Sequence, residues 1–177
     1  MKLNSHQIRK SKKEKAHILS KVIKRNPIVL VLDNVLDTYN IGSFFRLADA
    51  IAAEKIYLCG PVVTPPNTKI HRASIGTWKF VPWENYESTQ ECIKQLKKNG
   101  YSIAVCEQND KSKIYNKTKI KTPVALVLGS EVKGVQDSVL KMADYTLEIP
   151  MFGINKSLNV LVAGSVISYN ILSYLYE

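Results

Sequence analysis

The sequence predicts an α/β protein with a mainly parallel sheet and helices on both faces. Three observations carry this. Six short apolar runs are spread along the 177 residues. Between them apolar residues recur every three or four positions, the spacing of an amphipathic helix. Polar turns containing glycine follow three of the strands: Asn40-Ile41-Gly42, Gly129 to Gly134, and Met151 to Leu158. In open parallel sheets, ligands sit beyond the carboxyl ends of strands.

The elements follow in order. Residues 4–25 carry a weak apolar stripe among lysines: Ile8, Ala16, Ile18, Leu19, Val22 and Ile23. That predicts a basic helical arm over residues 1–26, ahead of one domain over 27–177. The arm could lie along a phosphate backbone or against a neighbouring subunit. Ile28 to Asp33 is a continuous apolar run, as a strand covered on both faces requires. From Ile41 the pattern turns helical, with Phe44, Phe45, Ala48 and Ala52 on one face and Asn40 as N-cap. Lys55 to Cys59 is the next strand, closed by Gly60-Pro61.

Four prolines between 61 and 83 break any long element. A short strand is expected at Lys79 to Val81. Residues 86–98 read as a helix with Cys92, Ile93 and Leu96 inward and Gly100 as its stop. Tyr101 to Cys106 is a strand. Residues 109–121 form a polar linker with five lysines, either a phosphate-contacting surface or a solvated loop. Pro123 to Leu128 is again fully apolar. A short helix at 135–143 leads to a strand at Tyr145 to Ile149. The last helix begins near Ser157, with Leu158, Leu161, Val162, Val166, Ile167, Ile171, Leu172 and Leu175 on a wide apolar face. That face is large enough for a sheet and a second subunit.

Composition excludes several classes. No apolar run reaches the roughly 18 residues of a membrane span. No signal-peptide pattern opens the chain, so a cytoplasmic protein is expected. Cys59, Cys92 and Cys106 are widely spaced and suggest buried free thiols rather than a metal site or disulfides. His6, His17 and His71 have no partners at metal-ligand spacing, so no metal is expected. The net charge is +10. Nine of the 25 basic residues fall in residues 1–26, against the single acid Glu14. This concentration points to a polyanionic partner, nucleic acid before membrane.

No nucleophile elbow, P-loop or dinucleotide fingerprint is present. Arg46 lies one helical turn beyond Gly42. With Asn40 it would form a small anion-friendly pocket.

Three stretches carry a resemblance. Asn40 to Ala50 resembles the first motif of the SpoU (TrmH-like) RNA methyltransferases. Leu126 to Glu131 with Gly134 resembles the second. Ile149-Pro150-Met151 with Ser157-Leu158-Asn159-Val160 and Ala163 resembles the third. His71 to Gly76 with Val81-Pro82 resembles a family segment less sharply. The resemblance covers about residues 28–175. It departs at Val132, at Ala52-Ala53-Glu54 and at Leu161, where glycine or small residues are common.

The resemblance implies the SPOUT α/β fold with a C-terminal deep trefoil knot. It implies S-adenosyl-L-methionine as methyl donor and transfer to a ribose 2′-hydroxyl of tRNA or rRNA. A homodimer with the last helix in its interface is implied too. Leu128, Gly129, Ile149, Met151, Ser157 and Leu158 would hold the cofactor. Arg46, Asn40, Glu131, Ser157 and Asn159 would serve catalysis, with Arg46 at the ribose hydroxyl. Ser157 would equally suit an N-cap. The alternatives are a catalytically silent RNA-binding homodimer of the same fold, and a small-molecule enzyme using the same cleft.

Overall fold

A computed structural model describes residues 2–12 and 18–176. Seven parallel strands form one sheet in the order β3-β2-β1-β6-β4-β7-β5. They are β1 (Asn26–Asp33), β2 (Ala53–Cys59), β3 (Trp83–Tyr86), β4 (Ser102–Cys106), β5 (Lys113–Ile114), β6 (Val124–Gly129) and β7 (Tyr145–Glu148). The helices are α1 (Ser5–Lys10), α2 (Thr38–Ala50), α3 (Thr68–Ser74), α4 (Thr89–Lys98), α5 (Asp137–Leu140) and α6 (Val160–Ser173), and residues 18–21 are also helical.

Central strands are apolar because both faces are covered. Along β1, Ile28, Leu30 and Leu32 join Phe44, Phe45, Ile70 and Ile167 from α2, α3 and α6. Val29 and Val31 alternate to the other face, against Cys92, Ile93 and Leu96 of α4 and Val139 of α5. This period of two divides the core into two layers. Every residue of β6 is buried. Each fully buried large apolar side chain contributes on the order of 1.5–3 kcal/mol.

The sheet edges differ from expectation. A 3-10 turn, Thr77–Lys79, replaces the strand expected at 79–81, and strand pairing begins only after Pro82. Trp78 and Phe80 reach the core from that turn. β3 is polar on its outer side, where Glu84 meets Lys55 at 2.8 Å. The lysine-rich linker contributes the two-residue edge strand β5 and a 3-10 turn, Tyr115–Lys117. Lysines on an edge strand discourage pairing with another chain.

Helix ends shift by local capping. Asp37, not Asn40, caps α2, accepting from Tyr39 N at 2.8 Å. Asn159, not Ser157, caps α6, accepting from Leu161 N at 2.9 Å and Val162 N at 3.4 Å. Tyr86 belongs to β3, and Ser88 caps α4. Ala52 lies beyond α2 with φ of 46°, so it is a turn residue rather than part of the helical face.

The arm is not one helix from 4 to 25. α1 ends at Lys10, where Ser11 turns extended at ψ of 130°. Ala16 of the expected stripe lies outside the described residues. Arg25 fastens the arm's end to the body, donating to Ala53 O and Phe80 O, each at 2.8 Å. Among the described residues no helix is long and apolar enough to cross a membrane.

Candidate functional site

A cavity of about 560 Å³ opens at the carboxyl ends of β4, β6 and β7. Leu128 and Gly129 enter it from the end of β6, and Glu131 from the turn beyond. Ile149 and Met151 follow β7 into its wall. Ser157, Leu158 and Asn159 close the opposite side, just before α6. So the second and third sequence stretches, far apart in the chain, meet at one cavity.

The turn after β6 is tightly built. Gly134 N donates to Ser130 O at 2.8 Å, and Gly134 has φ of 64°. A Cβ on Gly129 would stand 2.3 Å from Gly134 C, so only glycine permits this closure. Val132 is 90% exposed at the tip. Its side chain points into solvent, which is why a residue larger than glycine is accepted there.

Two carboxylates that sequence reasoning missed hold the turn. Glu107, beyond β4, lines the cavity and accepts from Val135 N at 3.0 Å and from Gln108 N at 2.9 Å. Asp33, at the end of β1, has 0% exposure and pairs in register with Gly129. It accepts from Thr89 Oγ1 at 2.6 Å, Asn34 Nδ2 at 2.8 Å, Gln136 Nε2 at 2.9 Å and Gln136 N at 3.1 Å. A carboxylate ending an otherwise apolar strand was the available signal for Asp33.

The first stretch reaches the same place through Asn40. From the first turn of α2 its Nδ2 donates to Glu131 Oε1, and its Oδ1 accepts from Asn159 Nδ2 at 3.3 Å. Asn40, Glu131 and Asn159 thus form one polar network at the cavity rim.

The small anion pocket expected from Asn40, Gly42 and Arg46 is not formed. Gly42 is where α3 crosses α2: a Cβ there would lie 2.6 Å from Ala73 Cβ. Arg46 follows Asn40 by six positions, roughly 240° around the helix, so the two leave α2 on different sides. Arg46 is exposed, does not line the cavity, and makes no hydrogen bond or ion pair with a described residue. Ser157 is exposed on the rim, its N–H donating to Asn155 Oδ1 at 3.5 Å.

The cavity's charge contrasts with the whole chain. Glu107, Glu131 and Glu148 line it, against one cation, Lys156. Ser112 Oγ donates to Glu148. Cys106 also faces the cavity; burial and the neighbouring Glu107 push its thiol up to about 12, so it is neutral at physiological pH. Among the described residues no group of three His, Cys, Asp or Glu side chains is placed to hold a metal ion.

Comparison with known proteins agrees with this arrangement. The sequence profile of the SpoU rRNA Methylase family matches residues 27–169. A Staphylococcus aureus (strain COL) protein named for the TrmH family of tRNA/rRNA methyltransferases is 31% identical over 165 residues, 93% of this chain and 63% of its own. The chain therefore spans under two thirds of that relative. The AdoMet-bound rRNA methyltransferase of Sinorhizobium meliloti superposes with a TM-score of 0.79 at 25% identity, covering 89% of this chain and 60% of that one. A solved RNA 2′-O ribose methyltransferase gives 0.78 at 25% identity, over 88% and 60%. With the family profile matched across its seven-stranded sheet and all three motif stretches, this chain belongs to the SpoU rRNA methylase family.

Proposed function

We propose that this chain transfers a methyl group from S-adenosyl-L-methionine to a ribose 2′-hydroxyl of tRNA or rRNA. The observation that carries this reading is the convergence of three distant stretches on one cavity at the strand ends. Solved relatives that hold AdoMet or act on RNA 2′-O ribose support it.

The cavity suits that donor. Leu128, Ile149, Met151 and Leu158 offer apolar walls to an adenine ring. Three carboxylates against one lysine suit a ligand carrying sulfonium and ammonium charges. When bound, the donor supplies an electrophilic methyl group. The protein's part is then mostly positioning.

In this reading Asn40, Glu131 and Asn159 fix the rim against which the ribose rests, and the Ser157 hydroxyl adds a further contact. Arg46, unpaired among the described residues, is free to take an RNA phosphate. A guanidinium keeps its proton to above about pH 12, so it is a poor general base. Its role is to orient that phosphate at the edge of the site.

Three further features belong to this reading. In this reading the C-terminal segment forms a trefoil knot, supported by the return of α6 from beyond β7 to pack on α2, β6 and the 3-10 turn at 115–117. The protein acts as a homodimer, for which exposed Phe152, Ile154, Val162 and Tyr169 on and before α6 provide an apolar surface. A cytoplasmic location, where tRNA and rRNA are found, completes it.

Calorimetry with S-adenosyl-L-methionine, and mapping of ribose methylation in a strain lacking the protein, test the reading. Micromolar binding and one lost 2′-O-methyl group are expected. No binding at millimolar donor would favour a silent RNA-binding dimer instead.

A further inference from the structure

Helix α1 is docked on the body. Lys79 Nζ donates to Arg9 O at 3.1 Å and to Ser11 O at 2.9 Å, the free carbonyls at the end of α1. A cation suits that helix end. Beneath α1 lies Gly76, where a Cβ would be 3.3 Å from Ile8 O and 3.4 Å from Arg9 Cα. The same position would be 3.5 Å from His71 Cε1. Three elements, α1, α3 through His71 and the 3-10 turn, thus meet at Gly76.

Their charges are all positive. Burial, with Lys79 and Arg9 nearby, lowers the His71 pKa. Among the described residues the two ion pairs lie elsewhere, at Lys55–Glu84 and Lys97–Asp144. Among the described residues no carboxylate forms an ion pair with Arg9, His71 or Lys79. Trp78 Nε1 donates to His71 Nδ1 at 3.2 Å, which leaves Nε2–H as the neutral ring's free donor. Crowded cations beside an oriented N–H are matched by an anion with several oxygens.

We propose that Arg9, His71 and Lys79 form a fixed anchoring site for a backbone phosphate of the RNA, assembled when α1 docks on the body. This rests on RNA being the substrate. It differs from a loose basic tail, because two of the three groups belong to the body. Lys79 holds α1 with two of its donors and keeps its charge at the site. Anchoring here would leave a second point, near Arg46, to set the direction of the strand.

The test is the salt dependence of binding to unfractionated tRNA, read with donor binding by calorimetry. Each phosphate contact contributes roughly 0.7–0.9 to the slope of log K against log salt. Arg9→Gln is expected to reduce the slope by about that amount, and Arg9→Glu to reduce affinity further. Donor affinity should not change. His71→Gln should weaken binding while Lys2→Gln, elsewhere on the arm, should have a smaller effect. An unchanged slope in Arg9→Gln, with wild type binding normally, overturns the anchoring site alone. Failure of the wild type to bind tRNA at low salt overturns it together with the RNA-directed reading.

Discussion

Asn159 performs two tasks with one amide. Its Oδ1 caps α6, and its Nδ2 donates to Asn40 Oδ1 at 3.3 Å, 119 residues earlier in the chain. Asn40 in turn donates to Glu131. The start of the last helix, the first turn of α2 and the turn after β6 are therefore set against one another. Asn159→Asp separates the tasks. Aspartate caps as well as asparagine but has no donor for Asn40. Stability should change by less than about 0.5 kcal/mol, while methyl transfer falls about 10–100-fold, the loss of one hydrogen bond in a charged network. Asn159→Ala should also cost about 1 kcal/mol of stability. Urea denaturation beside a transfer assay checks both.

Asp33 gathers four donors in a fully buried place. Removing it strands those donors and frees Gln136 beside the second-motif turn. Asp33→Ala should destabilise by about 3–5 kcal/mol, as for breaking a buried charged network. Thermal unfolding reads this. Thr89→Val, which removes one donor, should cost far less.

Gly164 is where α6 meets the cavity's floor. A Cβ there would lie 2.8 Å from Phe44 Cε1 and 3.1 Å from both Leu128 methyl carbons. Gly164→Ala should cost about 1–3 kcal/mol by overpacking. Because Leu128 lines the cavity, donor affinity should weaken too. Gly153→Ala, with nothing within 4 Å, is the control and should leave affinity unchanged.

The buried Cys92 thiol and the half-buried Cys106 thiol make stability fall at high pH. Cys106 is held at about 12 against an ordinary 9.0, and Cys92 is pushed upward by its hydrogen bond with Cys59 and by burial. Both folded-state values exceed the unfolded ones. Their contribution is therefore complete below about pH 9 and is lost as pH climbs toward 12. Each thiol should add up to about 1.4 kcal/mol of loss per pH unit in that window. Urea midpoints at pH 8, 9.5 and 10.5 should decline, and Cys106→Ala should flatten the decline. Native Cys106 should also resist alkylation at pH 7.5.

The legible parts of the fold were those buried on both sides. Strands such as β1 and β6 are near-continuous apolar runs because helices cover each face. The edges were not legible. Trp83 to Tyr86 is half polar because one side has no neighbour, and Lys113-Ile114 is too short to show any period. Helix starts slipped where several capping residues compete, as at Asn155, Ser157 and Asn159. Family motifs brought eight of the ten candidate residues to the cavity wall and Asn40 to its rim; Arg46 alone stands apart. Glu107 and Asp33 were missed because their value lies in backbone groups they meet only after folding. Local periodicity contains no information about such partners.

Donor-dependent methylation of ribose O2′ leaves a chemical mark that alkali reveals. The most direct measurement supplies S-adenosyl-L-methionine labelled in its methyl group, with RNA from a strain lacking the protein, followed by alkaline hydrolysis. A 2′-O-methyl group blocks cleavage of the adjoining phosphodiester. Label recovered in alkali-resistant dinucleotides, and its loss in Asn40→Asp, is the predicted result. Label recovered in mononucleotides, which places the methyl on a base, or no label in RNA at all, would contradict it.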